Sequence, residues 1–300
     1  MKYLFAFLSI FMLTTSAKAQ TYAQWKRLRY EVCFGLGVAN FLGDLGGANM
    51  IGTNYFNDLE INTTRPAVTL GMRYKLDPRQ AVKVEFNWGM VAGDDRLTAW
   101  ANRNNRLLQF RSHILEFGAR YEFMAIKERV GHRYRLRGIK GQKALELYPY
   151  GFIGIAGFYF NPQGLDASGT WRDLAPLHTE GQSLIVTRKD YSQFQFAIPI
   201  GFGFKYAIDK QWLVGLEYGM RKTFTDYIDD VSTTYFDNET IKNLHGATAA
   251  YLADPNLGKN PDYAAGQQRG DPTDHDVYMF LTVSVNYKLK TGRNNLPKFN

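Results

Sequence analysis

Phe194-Gln195-Phe196-Ala197-Ile198-Pro199-Ile200-Gly201-Phe202-Gly203-Phe204-Lys205-Tyr206-Ala207-Ile208 puts a large apolar side chain at every even position. A period of two belongs to a β-strand, whose successive side chains leave opposite faces; a helix would need a period near 3.6. The odd face carries Gln195, Ala197, Pro199, Gly201, Gly203, Lys205 and Ala207, too little charge for a surface in water. The run also exceeds the roughly 5 or 6 residues of an ordinary strand. Lipid on one side and a narrow, crowded, polar interior on the other would produce this pattern.

Residues 29–39, 67–76, 82–90, 115–123, 212–221 and 276–289 repeat the alternation. Phe34, Leu36 and Val38 oppose Gly35, Gly37 and Ala39, and Val283, Val285 and Tyr287 oppose Thr282, Ser284 and Asn286. Residues 147–160 are apolar and glycine-rich on both faces, but their aromatic and β-branched content makes them a strand as well. The chain is therefore expected to form an all-β, eight-stranded antiparallel transmembrane β-barrel of the outer-membrane type, the smallest usual size. A soluble sandwich or lipocalin would alternate too, but with shorter strands and a Lys- and Glu-rich outer face. Tyr30, Tyr74, Trp88, Tyr121, Phe123, Tyr206, Trp212 and Tyr287 moreover fall at strand ends, where interfacial aromatic girdles belong.

Lys2, an apolar run over residues 3–13 and Ala17-Lys18-Ala19 have the three parts of a secretory signal, so residues 1–19 are expected to be a cleaved leader and 20–300 a single barrel domain. The apolar run is too short for a membrane helix. The lone cysteine, Cys33, allows no intramolecular disulfide and reads as a small buried thiol. The chain has 300 residues, a net charge of +8 and no Pro-rich or low-complexity linker. Basic charge often signals nucleic acid, but an exported barrel does not meet it, so location must explain the sign.

Tight connections at Asp77-Pro78-Arg79 and Asp209-Lys210 alternate with long ones over 44–65, 92–109, 161–191 and 223–275, which matches short periplasmic turns and long extracellular loops. One inner connection is long and basic, with Lys127, Arg129, Arg133, Arg135, Arg137, Lys140 and Lys143. Lys26, Arg27 and Arg29 near the N-terminus and Lys288, Lys290, Arg293 and Lys298 near the C-terminus are expected on the same rim. Clustered charge of one sign steers association, so this rim is a candidate docking surface for an acidic periplasmic partner. Any single one of these residues is more simply a solvated loop charge. The acids of the last outer loop, Asp226 through Asp274, read the same way.

Asn40-Phe41-Leu42-Gly43-Asp44-Leu45 and the run from Arg221 to Ser232, containing Asp226, Tyr227, Asp229 and Asp230, resemble the two best-marked stretches of the PorG-like outer-membrane proteins of Bacteroidetes. Tyr148-Pro149-Tyr150 and Phe158-Tyr159-Phe160-Asn161-Pro162 fit as well, and the likeness covers most of the chain after the leader. The resemblance implies a non-enzymatic eight-stranded barrel of the type IX secretion machinery, associated with a periplasmic ring of PorK-like and PorN-like subunits. As an outer-membrane barrel the chain is also expected to contact outer-membrane lipids and lipopolysaccharide, and no cofactor is expected.

An eight-stranded barrel is filled by side chains. Arg73, Lys83, Glu85, Glu116, Arg120, Glu122, Glu217 and Arg221 fall on inward faces and would supply paired charges for that filling, making a plug rather than a pore. Two rivals remain. A lipid hydrolase or acyltransferase needs a nucleophile, a His base and an acid at one depth, and His113, His275, Ser112, Ser284 and Asp276 are the available groups, without a recognised constellation. An adhesion or ligand-binding barrel would work through the outer loops. Asp226, Asp229, Asp230, Asp237, Asn238 and Glu239 lack the spacing of a calcium loop, and no metal site is expected.

Overall fold

The computed structural model describes residues 25–45, 61–97, 104–128, 146–257, 259–292, 294, 296 and 297. Eight long strands form the wall: β1 (Tyr30–Leu42), β2 (Arg65–Lys75), β3 (Gln80–Asp94), β4 (Gln109–Met124), β5 (Leu147–Leu165), β7 (Phe194–Ala207), β8 (Trp212–Thr223) and β9 (Val277–Leu289). A three-residue strand, β6 (Trp171–Asp173), hairpins onto the end of β5. Each wall strand pairs antiparallel with its neighbours in sequence, and β9 returns to β1, with Phe34 opposite both Leu70 and Val285. The sheet thus closes into an eight-stranded barrel with no free edge.

Burial follows the alternation in the sense opposite to that of a soluble protein. On the outer surface Ile155 is 73% exposed, Phe117 64% and Phe196 62%, whereas inward Arg73 and Arg120 are 1% and 2% exposed. Such a wall is stable only where hydrocarbon covers its outside, and strands of 11 residues or more are long enough to cross it when tilted. Tyr30, Tyr74, Tyr121, Phe123, Tyr206, Trp212 and Tyr287 all lie at the end bearing the start of β1, the end of β9 and the short turns, with Tyr30 on Tyr74 and Trp212 on Tyr287. Trp88 stands apart, toward the opposite end and opposite Val68 and Leu115.

The strands run further outward than the alternation suggests. β3 continues from Met90 to Asp94, β4 begins at Gln109 instead of 115, and β5 continues to Leu165. In and just before these extensions the sides exchange character: Phe110, Ile114, Phe158 and Phe160 point inward and are buried, while Arg111, His113, Asn161 and Gln163 point outward. Above the hydrocarbon the wall meets water, so polar-out and apolar-in is the stable arrangement there and a lipid-out template stops too early. Residues 147–160 look apolar on both faces because this strand also lines the bore with aromatic rings. Its inner face supplies Tyr148, Tyr150, Phe152, Phe158 and Phe160 to the bore.

Two short helices, α1 (Asn238–His245) and α2 (Ala247–Ala253), lie in the last outer connection, read from sequence as plain loop. Asp237 caps α1 by accepting from Thr240 N at 2.8 Å, and Ile241, Ala249 and Ala253 pack together beneath. Ile228 and Val231, just beyond β8, join Phe41, Phe110, Ile114, Phe158, Phe160, Tyr278 and Phe280 in an apolar cluster. The outer mouth is filled by this cluster rather than left open.

Candidate functional site

Inward-facing side chains of β1–β5 and β7–β9 meet in a charged bore. Nearest the outer mouth, Arg221 of β8 donates through Nε to Glu116 Oε2 of β4 at 3.1 Å, and Tyr278 Oη donates to the same oxygen at 2.6 Å. At mid-height Arg120 of β4 donates through Nη1 to Glu217 Oε1 at 2.7 Å and to Glu85 Oε1 at 3.2 Å. Tyr150 Oη donates to Glu217 Oε2 at 2.7 Å, and Lys83 lies 2.7 Å from Glu85. Arg73 of β2 bridges Glu31 and Glu122. All eight charges read from the sequence are buried here and drawn into one network.

A further layer toward the inner end was only partly legible. Lys75 lies 2.5 Å from Glu128, Lys288 pairs with the same carboxylate, and Lys205 sits 3.8 Å from Glu31 and 3.9 Å from Glu128. Lys288 is 2% exposed, so its place is in the bore and not on the basic rim. A β-strand assigns Lys288 to the same face as Asn286 and Ser284, a signal that its nearness to the C-terminus obscures. Glu128 could not be read by periodicity, because it follows β4 and folds back into the barrel end.

Among the described residues the bore holds seven cations, Arg73, Lys75, Lys83, Arg120, Lys205, Arg221 and Lys288, against six carboxylates, Glu31, Glu85, Glu116, Glu122, Glu128 and Glu217. Aromatic rings separate the layers: Phe152 lies 3.9 Å from the Arg120 guanidinium carbon and Phe280 4.4 Å from that of Arg221. A Cβ at Gly203 would come within 2.6 Å of the Tyr150 ring, so the absence of a side chain there makes room for the ring. Near-neutral, paired by charge and packed, these buried groups occupy the interior of the barrel.

On the inner rim Arg27, Arg79, Lys127, Lys210 and Lys290 are exposed. Arg29 is held between Trp25 and Tyr74, at 4.8 and 5.3 Å from their ring centres. Arg129, Arg133, Arg135, Arg137, Lys140 and Lys143 lie outside the described residues.

At the outer mouth the two stretches containing Gly43, Asp44, Asp226, Tyr227, Asp229 and Asp230 come together. Asp229 accepts from Leu45 N at 2.9 Å and from Val231 N at 3.0 Å, and Asp276 accepts from Ile228 N at 2.8 Å. Gly43 is close enough to Asp276 Oδ1 that any side chain would collide with it. Tyr191 stacks on Tyr227 at 4.6 Å and donates to Asp230 at 2.7 Å. Asp226, Asp229, Asp230 and Asp254 are buried, contrary to their reading as solvated loop charges, because the segment after β8 turns inward over the mouth. Burial and the neighbouring Asp229 raise the Asp226 carboxyl to about 9, and burial raises Asp230 to about 6 against the opposing pull of Arg269. Burial, followed by the nearby carboxylates, also raises Asp229 and Asp276.

The residues considered for lipid chemistry are not brought together. Ser112 points inward with no exposure, the next residue His113 points outward against Trp88, and Ser284 faces the bore lower on β9. Asp237 is occupied as a helix cap. No group of three or more His, Cys, Asp or Glu among the described residues is arranged to hold a metal ion.

Residues 6–251 match the family model described as outer membrane protein beta-barrel domain. The chain belongs to that family. It is accordingly an outer-membrane protein, as its lipid-facing wall requires. Solved structures similar to it include Neisserial surface protein A, at 10% identity and a TM-score of 0.38 over 86% of this chain and 96% of that one. Ail, the attachment invasion locus protein of Yersinia pestis, solved with the heparin analogue sucrose octasulfate, is similar at 8% identity and a TM-score of 0.36 over 86% and 98%. CarO of Acinetobacter baumannii follows at 12% identity and 0.27 over 85% and 96%. No curated protein matches the chain.

Proposed function

We propose that this outer-membrane barrel acts without catalysis as an anchor for a periplasmic assembly, in the manner of the PorG-like proteins of type IX secretion that its sequence resembles. The observation that carries this reading is the partition of charge at the inner end. Lys75, Lys205 and Lys288 are consumed inside the bore by Glu31 and Glu128, whereas Arg27, Arg79, Lys127, Lys210 and Lys290 remain exposed around it. A filled bore offers no conduit, so the surfaces left for function are its two ends. The inner rim, together with Arg129, Arg133, Arg135, Arg137, Lys140 and Lys143, would dock an acidic partner such as a ring subunit of the PorK-like or PorN-like kind.

Replacing Arg133, Arg135 and Arg137 together by Glu should leave the barrel in the membrane and abolish co-purification of periplasmic subunits. Recovery of the intact complex with the triple variant would refute docking through this connection.

A second reading, adhesion or ligand binding through the outer loops, draws support from Ile185 and Val186, the latter 97% exposed in the β6–β7 connection. Ala at both positions would abolish surface binding on that reading and leave anchoring untouched.

A further inference from the structure

Four carboxylates from three separate segments converge over the outer mouth. Asp44 follows β1, Asp226 and Asp229 follow β8, and Asp276 precedes β9. Backbone amides satisfy part of the cluster: Leu45 and Val231 donate to Asp229, Ile228 to Asp276 Oδ2, and Asp271 N to Asp44 Oδ2 at 2.9 Å. Asp226 is only 5% exposed, and although Ser232 is close, neither of its oxygens meets a donor at hydrogen-bond geometry. Asp276 Oδ1, fully buried, has none either.

The neighbouring cations make their hydrogen bonds to other carboxylates, although Arg106 still acts electrostatically on Asp229 and Asp44. Arg106 Nε binds Asp95 Oδ2 at 2.6 Å, and Arg269 binds Glu180 Oε1 at 2.9 Å. From the β6–β7 connection, Thr179 and Tyr191 turn to Asp230 and Glu180 turns to Ser232 N; Tyr227 and Tyr235 are the other titratable groups nearby. A buried carboxylate with neither donor nor counter-ion is costly, and a proton removes the cost by turning an acceptor into a donor for its neighbour.

We propose that the segment around residues 226–232 is a proton-held cap: carboxyls of Asp226, Asp229 and Asp276 carry shared protons that lock it over the mouth, and losing them at alkaline pH loosens it. The raised carboxyls described above agree in direction. An acid whose value is higher in the folded state stabilises the closed form at low pH and loses that contribution as pH rises through the folded value. With an ordinary aspartate near 3.9 and a folded value of about 9 for Asp226, the loss spans roughly pH 4 to 9. The wall should not respond, since it is closed by strand pairing.

The test is hydrogen exchange by mass spectrometry on the whole barrel in nanodiscs, following the segment 224–235 at pH 6 and pH 9 as protection factors. Protection at least about tenfold lower at pH 9 is expected, with heat-modifiable migration unchanged. Asp226→Asn, which supplies a donor at every pH, should hold the pH 9 protection near its pH 6 value; Asp276→Asn serves if the first variant does not fold. Equal protection of the native chain at both values would overturn the proposal. So would loss of protection with EDTA at pH 6 and its restoration by calcium at pH 9, because a metal ion rather than protons would then hold the cap.

Discussion

Arg120 and Glu217 face each other across the bore, from β4 and β8, joined by two guanidinium-to-carboxylate hydrogen bonds with Tyr150 Oη on the same carboxylate. Strands that are not neighbours in the sheet are tied together by this pair, so it braces the barrel across its width as well as filling it. Removing one partner of a buried pair strands the other, which typically costs about 3–5 kcal/mol, whereas replacing both by apolar groups is often neutral. Glu217→Ala should therefore destabilise the barrel by that amount in urea unfolding, and Arg120→Met with Glu217→Met by far less than the sum of the single changes.

Room inside the wall is set by residues without side chains. Gly203→Ala places a methyl within 2.6 Å of Tyr150, which cannot swing away without leaving Glu217, so overpacking of about 1–3 kcal/mol is expected. Gly151, on the lipid side of β5, has nothing nearer than Gly201 O at 3.8 Å, and Gly151→Ala should be nearly silent. Unfolding midpoints of the two variants, measured side by side in one detergent, check the difference.

Phe202 and Lys205 lie three residues apart on β7 and on opposite faces, the first 49% exposed and the second fully buried. A lysine is accommodated inside by Glu31 and Glu128, but on the lipid side near mid-bilayer it costs about 2–4 kcal/mol. Phe202→Lys should consequently lower folding yield into vesicles, read as the fraction of heat-modifiable band.

Helix α1 depends on the Asp237 cap. The Thr240 hydroxyl and amide hold this carboxyl below its ordinary value, so its contribution is present above about pH 4 and fades as pH falls through the lowered value. Asp237→Ala should cost about 1 kcal/mol of local stability, seen as faster amide exchange over residues 238–245 with no change in the wall.

What could be read directly from the sequence is what lipid imposes on each strand separately. The even residues of 194–208 and the inward glycines of β1 report their faces without knowledge of any partner strand. Strand ends at Asp94, Gln109 and Leu165 were hidden because the apolar side switches inward where the wall leaves the membrane. In the bore, charges on strand faces such as Arg73 and Glu217 follow from periodicity, but Glu128 enters from a turn and nothing local marks it. Convergence of Asp44 with Asp226 and Asp276 depends on barrel closure bringing β1, β8 and β9 side by side, a long-range fact that no short motif encodes.

The wall itself is tested most directly along β7. Single cysteines placed at each residue from Phe196 to Tyr206, in a Cys33→Ser background reconstituted in nanodiscs, can be spin-labelled and probed with a lipid-soluble and a water-soluble relaxation agent. Even positions should be accessible to the lipid-soluble agent and odd positions shielded from both, with a period of two throughout. Even positions reached by the water-soluble agent, or accessibility without that period, would contradict a barrel with hydrocarbon outside and a packed charged bore within.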